Sequence, residues 1–220
     1  MHKKRVQIYT GFERFWHWAQ AVLVLFLALT GFEIHGSYTF FGFREAVHYH
    51  NIAAYLLIGL IVFAIFWHFT TGEWRQYVPT LEKMQAQVRY YLYGIFRNEP
   101  HPTQKTRLSK LNPLQRLTYF GLKVALFPLV VTSGLLYMFY RYPSRYGIEA
   151  INIQSLEWIA LAHTLGAFLL MAFLVVHIYM TTTGETVFSN LRAMITGYEE
   201  VEEPASAPAQ ATVHTEGQQA

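Results

Sequence analysis

Four long apolar stretches alternate with polar segments along the chain. They run from about residue 15 to 32, 52 to 69, 117 to 140 and 156 to 182. Each is close to or above the ~20 residues that a helix needs to cross a hydrocarbon core of about 30 Å. Because lipid offers no partner for unpaired backbone groups, helices are expected to span it. The pattern predicts an all-α protein built on a four-helix transmembrane bundle.

The segments outside these stretches differ in character. Residues 72–112 are too many for a plain turn, and residues 74–96 mix apolar, aromatic and basic side chains, which predicts an interfacial helix. Beyond position 197 the chain becomes rich in Glu, Ala, Pro, Gln and Thr, which is typical of disorder. We therefore expect a membrane domain over residues 1–197 and a disordered acidic tail over residues 198–220.

The charge distribution predicts the orientation. Only 14% of the residues are charged, against about a quarter in a soluble domain. Lys and Arg concentrate before the first span and in residues 72–112, so both termini are expected on the cytoplasmic side. The small net charge of +3 reflects this bias and gives no reason to expect nucleic-acid binding.

The absence of cysteine narrows the redox chemistry. With no cysteine in the sequence, the chain can form no disulfide, hold no thiolate-bound iron–sulfur cluster and attach no c-type haem covalently. Ten histidines remain as candidate ligands. Ionisable groups inside a bilayer are costly and tend to be functional, so histidines within the apolar stretches are of most interest.

Four histidines are predicted to pair by depth. His163 and His177 are separated by just under four helical turns, which places them on nearly the same face and about 21 Å apart along the axis. His17 enters the first span from the cytoplasmic side, level with His177, and His50 enters the second from the outside, level with His163. Two imidazoles at each level predict two bis-histidine b-type haems, one above the other.

Two other histidines leave alternatives open. His48 could replace His50, although Ala54, one turn past His50, would let a ring approach. His68 lies five turns from His50 on the same face, so it could compete with His177 or serve as an interfacial or quinone-site residue. A lone histidine in a span can also be a hydrogen-bonded packing residue.

Three further residues each admit two interpretations. Gly31 and Gly134 lie late in their spans, where small residues allow close helix packing or clear space for a flat macrocycle. Lys123 lies inside the third span, just before Pro128. Its side chain could snorkel to the cytoplasmic surface or pair with a haem propionate.

The sequence also resembles a known family. The run Arg14-Phe15-Trp16-His17-Trp18, together with His50 and the spacing of His163 and His177, resembles the four-helix di-haem cytochrome b superfamily over roughly residues 10–197. Its members are membrane subunits of respiratory formate dehydrogenases, nickel–iron hydrogenases and thiosulfate reductases. Residues 71–79 and 110–116 are most similar to thiosulfate reductase cytochrome b subunits. The resemblance implies a multi-pass protein of the bacterial cytoplasmic (inner) membrane.

The resemblance also implies a quinone site. Asn112 and Gln115 match the positions that border the quinone near the inner haem, and amides can donate hydrogen bonds to a quinone carbonyl without adding charge. Pro113 and Leu114 between them depart from the small residues of the family. Asn112 could alternatively cap a helix that has Pro113 at its first position, and both roles could hold together.

These features predict an electron-transfer subunit with no terminal substrate site of its own. It would connect the quinone/quinol pool with a periplasmic partner that carries iron–sulfur clusters and molybdenum or several c-type haems. A thiosulfate-reductase-like role would move electrons outward and a formate-dehydrogenase-like role inward. The alternatives are a haem-poor membrane anchor and a stand-alone cytochrome that reduces a small acceptor.

Overall fold

The computed structural model describes residues 3–97, 99–100, 102–103, 109–141, 153–184 and 186–202. Within them the chain forms short strands near both ends and helices between. The strands are β1 (Lys3–Gln7) and β2 (Tyr198–Glu202), and the helices are α1 (Gly11–Ile34), α2 (Phe43–Thr71), α3 (Met84–Leu92), α4 (Pro113–Gly121), α5 (Phe127–Arg141), α6 (Ile153–Thr181) and α7 (Ser189–Thr196).

Four helical segments are long and apolar enough to cross a membrane, which confirms the predicted bundle. The third of them joins α4 and α5 through a π-helical turn, Leu122–Leu126. Helix α1 packs against α2, and α5 packs against α6. Val24, Leu57 and Phe127 form the centre of the apolar core. Many large apolar side chains are exposed on the outer faces of the spans, where lipid would cover them.

The π-helical turn has a local cause. Pro128 lacks a backbone N–H, and its ring cannot fit against the carbonyl of Val124 in a regular α-helix. A widened turn relieves this conflict, and such turns are common at functional sites. The turn carries Lys123.

The expected interfacial helix is present but shorter than residues 74–96. The structure has a 3₁₀ turn at Glu73–Tyr77, the helix α3 and a second 3₁₀ turn at Gly94–Arg97. Pro79 explains the interruption, because the residue before a proline is driven out of the helical region. Val78 has the corresponding extended conformation, with φ −65° and ψ 120°.

The start of the expected tail is structured. Strands β1 and β2 pair antiparallel, with Arg5 opposite Glu200. The carbonyl of Gly197 accepts from the N–H groups of Ile8 and Tyr9 at 2.9 and 3.1 Å. The first residues of the predicted tail, 198–202, thus form a strand, and residues 203–220 lie outside the described part of the chain. The pairing of β1 with β2 joins the segment that precedes α1 to the segment that follows α7.

Candidate functional site

Two histidines from different spans face each other near the end of the bundle that is predicted to face outward. The ring centroids of His50 on α2 and His163 on α6 are 6.3 Å apart, with an interplanar angle of 76°. We call these residues the outer pair.

Both imidazoles of the outer pair are oriented through Nδ1. His163 Nδ1 lies 3.1 Å from the carbonyl oxygen of Val130 and 3.2 Å from Ser133 Oγ. His50 Nδ1 lies 2.9 Å from Thr30 Oγ1, and that hydroxyl donates its own hydrogen to the carbonyl of Phe26. Each Nδ1 therefore carries the proton, and each Nε2 keeps a free lone pair. Histidines that bind metals usually have this arrangement.

A second pair lies nearer the opposite end of the bundle, which is predicted to face the cytoplasm. The ring centroids of His17 on α1 and His177 on α6 are 6.1 Å apart, with an interplanar angle of 49°. We call these residues the inner pair. His177 Nδ1 is 3.4 Å from the hydroxyl of Tyr119, and Phe173 stacks on the His177 ring at 5.5 Å. His17 Nδ1 is buried and has no hydrogen-bond partner in the part of the chain that the structure describes.

The separation within each pair fits an intervening metal ion. A metal–imidazole bond is about 2.0 Å long, and the bonded nitrogen is about 1.1 Å from the ring centre, so two axial imidazoles have centroids about 6.3 Å apart. Two rings joined directly by a hydrogen bond of about 2.9 Å would have centroids only about 5 Å apart. The observed 6.1 and 6.3 Å match the first arrangement. Both pairs therefore fit axial ligation of haem iron.

Gly31 and Gly134 lie against the outer pair. A Cβ atom on Gly134 would be 3.0 Å from Cε1 of His163, closer than ordinary contact, and one on Gly31 would be 3.6 Å from Cε1 of His50. Glycine at 134 thus allows the His163 imidazole to approach the backbone of α5. The close-packing interpretation holds at this position, and the space for a macrocycle remains a prediction.

The geometry favours His50 over His48 and His177 over His68. His48 is exposed, and its ring contacts that of Tyr49, so it does not face His163. Both nitrogens of the buried His68 have polar neighbours. Its Nδ1 donates to the carbonyl of Ala64 at 2.6 Å, and its Nε2 lies 3.4 Å from the Tyr77 hydroxyl.

Lys123 extends from the π-helical turn towards Trp16, His68 and Tyr77. Its Nζ is 3.1 Å from the centre of the Tyr77 ring, 5.0 Å from that of Trp16 and 3.5 Å from His68 Nε2. The ammonium thus rests on two aromatic faces, and both the snorkelling and the propionate interpretations stay predictions. No carboxylate among the described residues lies within ion-pair distance of it.

Asn112 and Gln115 form a reciprocal cap at the start of α4. Asn112 Oδ1 accepts from the Gln115 N–H at 2.9 Å, and Gln115 Oε1 accepts from the Asn112 N–H at 3.1 Å. Pro113 occupies the first turn, so the capping alternative is confirmed. The Asn112 amide donates to the Tyr91 hydroxyl at 2.9 Å. Among the described residues the amide nitrogen of Gln115 has no acceptor, whereas that of Asn112 uses one of its two N–H groups on Tyr91.

A buried ion-pair network that the sequence did not predict joins Lys110 to Glu13 and Glu73. Lys110 is 4% exposed, and its Nζ lies 2.5 Å from Glu13 and 3.3 Å from Glu73. The only sequence signal was Glu13 in a capping box with Thr10. Burial, assisted by the nearby Glu13 carboxylate, raises the pKa of Tyr77 well above its usual range, so its phenol stays a neutral O–H donor.

Histidine pairs, rather than larger clusters, are the candidate metal sites. Across the described ranges, no three or more His, Cys, Asp or Glu side chains come together in a way that would hold a metal ion. Four membrane spans with two facing histidine pairs are typical of membrane proteins that carry b-type haem.

Comparison with known proteins agrees with this class. The sequence model of the prokaryotic cytochrome b561 family matches residues 8–197, so the chain belongs to that family. The Escherichia coli (strain K12) protein named "Putative cytochrome YdhU" is 29% identical over 204 residues, which cover 90% of this chain and 76% of YdhU. No solved structure matches the chain.

Family membership establishes the general function. The chain is a membrane b-type cytochrome of electron transfer, and the family implies that it binds haem b. This confirms the predicted cytochrome b superfamily. The four spans and the prokaryotic family fit the inner membrane of a bacterium.

Proposed function

We propose that the chain is a di-haem subunit that passes electrons between the quinone/quinol pool and a periplasmic oxidoreductase. The observation that carries this proposal is the presence of two facing histidine pairs at two depths, each with the centroid separation of axial ligands. The resemblance to thiosulfate reductase and formate dehydrogenase subunits supports a partner with iron–sulfur clusters and molybdenum or several c-type haems.

The outer pair would hold one haem b and the inner pair the other. When bound, the two groups would supply one-electron carriers at two depths of the membrane. The protein itself fixes the ligand tautomers. At the outer pair, Thr30, Val130 and Ser133 accept hydrogen bonds from Nδ1, which turns Nε2 towards the opposite ring. The orientation we propose has both termini and the inner pair on the cytoplasmic side.

We place quinone exchange near the inner pair. Asn112 and Gln115 begin the helix α4, and Tyr119, one turn after Gln115, contacts His177. The free amide nitrogen of Gln115 can donate to a quinone carbonyl. Because the Asn112 amide already donates to Tyr91, Gln115 is the stronger candidate of the two.

Lys123 remains a candidate partner for a haem carboxylate. When protonated it is a partly buried cation, and such charges in proteins normally have a partner of opposite charge. The two aromatic rings and His68 around its ammonium supply no negative charge. A propionate of the inner haem would supply it.

A haem count tests the proposal. The pyridine haemochromogen assay, with reduced-minus-oxidised spectra, is applied to purified wild type and to the variants His17→Ala and His163→Ala. We expect two haems b per wild-type chain and the loss of one in each variant, with His48→Ala as the matched control that keeps both. A folded wild type without haem would refute the proposal and support the membrane-anchor alternative.

A further inference from the structure

A largely buried cluster of titratable side chains, not among the proposed haem ligands, packs against Trp16, the residue before His17. It consists of His68, Tyr77 and Lys123, with His68 only 6% exposed. His68 comes from the end of α2, Tyr77 from the 3₁₀ turn that follows and Lys123 from the π-helical turn. Three separate elements therefore bring these side chains together.

The hydrogen bonds define the proton positions. The carbonyl of Ala64 can only accept, so the proton of neutral His68 resides on Nδ1 and its Nε2 has a lone pair. Two donors approach this lone pair, Tyr77 O–H at 3.4 Å and Lys123 Nζ at 3.5 Å. A proton can therefore reside on Lys123 Nζ or move onto His68 Nε2 within one hydrogen bond.

The same geometry limits this couple to one extra proton. If both Lys123 and His68 were charged, two positive groups would lie 3.5 Å apart in a largely buried site. Like charges this close in a desolvated environment strongly oppose each other. The other charged groups that face His68 are Glu13 and Lys110, and Lys110 pairs with Glu13 at 2.5 Å and with Glu73 at 3.3 Å. This network contains two carboxylates and one cation, so when ionised it favours a single positive charge on the couple.

The cluster adjoins the start of α4, where the candidate quinone site lies. The N–H of Lys110, two residues before Asn112, donates to Gln76 at 3.3 Å, and Gln76 directly precedes Tyr77. The start of α4 thus packs on the turn that carries Tyr77.

We propose that Lys123 and His68 form a proton-loading couple, assisted by the Tyr77 hydroxyl, that exchanges protons with quinol or quinone at the inner site. The inference rests on the proposed quinone function. Oxidation of one quinol to quinone releases two electrons and two protons. The electrons leave through the electron-transfer activity of the cytochrome, and the couple takes up the protons one at a time and releases each to the cytoplasmic side. Quinone reduction runs the same steps in reverse.

The test uses the purified holo-cytochrome in lipid nanodiscs. Stopped-flow spectroscopy follows haem reduction by menadiol, a naphthoquinol, and by decylubiquinol, a benzoquinol, across pH and in heavy water. Lys123→Met and His68→Gln are compared with wild type, and His48→Gln, an exposed histidine of the same helix, is the matched control. Haem content, spectra and reduction by dithionite are measured in parallel.

We expect both variants to slow quinol-driven reduction by about 100-fold, the lower end of the effect of positioned proton transfer. In His68→Gln, dithionite reduction and haem content should match wild type, and in both variants the pH dependence and solvent isotope effect of the quinol reaction should change. Tyr77→Phe, which removes one oxygen, should produce a smaller effect of the same kind.

Three outcomes would overturn the inference. Variants that react with quinol at the wild-type rate and pH dependence would exclude a proton role. Loss of haem from all three variants would make the cluster a structural support. An altered haem spectrum in Lys123→Met alone, with His68→Gln unchanged in rate, would assign Lys123 to a haem carboxylate. Failure of both quinols to reduce wild-type protein would instead refute the proposed quinone function.

Discussion

Substitution of Gly134 tests the outer pair, because the same substitution at Gly31 provides a matched control. In Gly134→Ala, the new Cβ would lie 3.0 Å from Cε1 and 3.3 Å from Nδ1 of His163. Ordinary carbon contacts begin near about 3.5 Å, so the ring must move by roughly 0.5 Å. That movement disturbs the Nδ1 hydrogen bonds to Val130 and Ser133. In Gly31→Ala, the nearest atom of His50 would be 3.6 Å away, which is ordinary contact.

The expected loss of haem affinity in Gly134→Ala follows from this steric overlap. Overpacking of this kind costs about 1–3 kcal/mol. If it falls on the haem-bound state, the affinity of the outer site drops by roughly 5- to 150-fold, at about 1.4 kcal/mol per factor of ten. The helix itself should not suffer, because alanine stabilises a helix by about 1 kcal/mol relative to glycine. Gly134→Ala should therefore weaken the outer site while the fold is kept.

The assay is haem titration of purified apo-protein, followed by absorbance and by helical content from circular dichroism. Gly134→Ala should bind one haem with wild-type affinity and the second more weakly, and Gly31→Ala should match wild type. Wild-type affinity at both sites in Gly134→Ala would refute the reasoning. Equal weakening in the two variants would show that general helix packing, and not the His163 contact, is responsible.

Three further predictions concern residues around the pairs. Thr30→Val removes the acceptor for His50 Nδ1 and should weaken outer haem binding by about 10- to 100-fold in the same titration. Lys110→Met leaves the buried Glu13 without its cation and should destabilise the protein by about 3–5 kcal/mol, measured by thermal denaturation. Because burial raises the pKa of Tyr77, the folded state retains a proton that the unfolded chain loses. Stability should therefore fall as pH rises above about 10, and Tyr77→Phe should reduce that fall in melting curves.

The parts of the structure that follow from fixed helix geometry could be predicted from the sequence. Apolar length gave the four spans, and the constant rise per residue placed His163 and His177 at two depths of one face. The same rise matched His17 and His50 to them, and the structure brings both pairs together.

The features that depend on helix rotation or distant contacts could not be predicted. In the sequence, Thr30 and Ser133 are indistinguishable from ordinary polar residues of a span. Their contacts with His50 and His163 depend on the rotation of neighbouring helices about their axes. Lys110 counted only as a basic residue of the cytoplasmic segment, because Glu13 lies 97 positions away along the chain. The pairing of β1 with β2 joins opposite ends of the chain, which no local pattern reveals.

The shared use of α6 has a consequence for assembly. This helix contributes His163 to the outer pair and His177 to the inner pair, and it is the last of the four spans. During synthesis, the first three spans can enter the membrane with His17 and His50 in place, yet each lacks its opposite imidazole until α6 follows. If the chain holds two haems as proposed, bis-histidine ligation at either depth would therefore be a late event in biogenesis, and synthesis of this one helix would complete both sites.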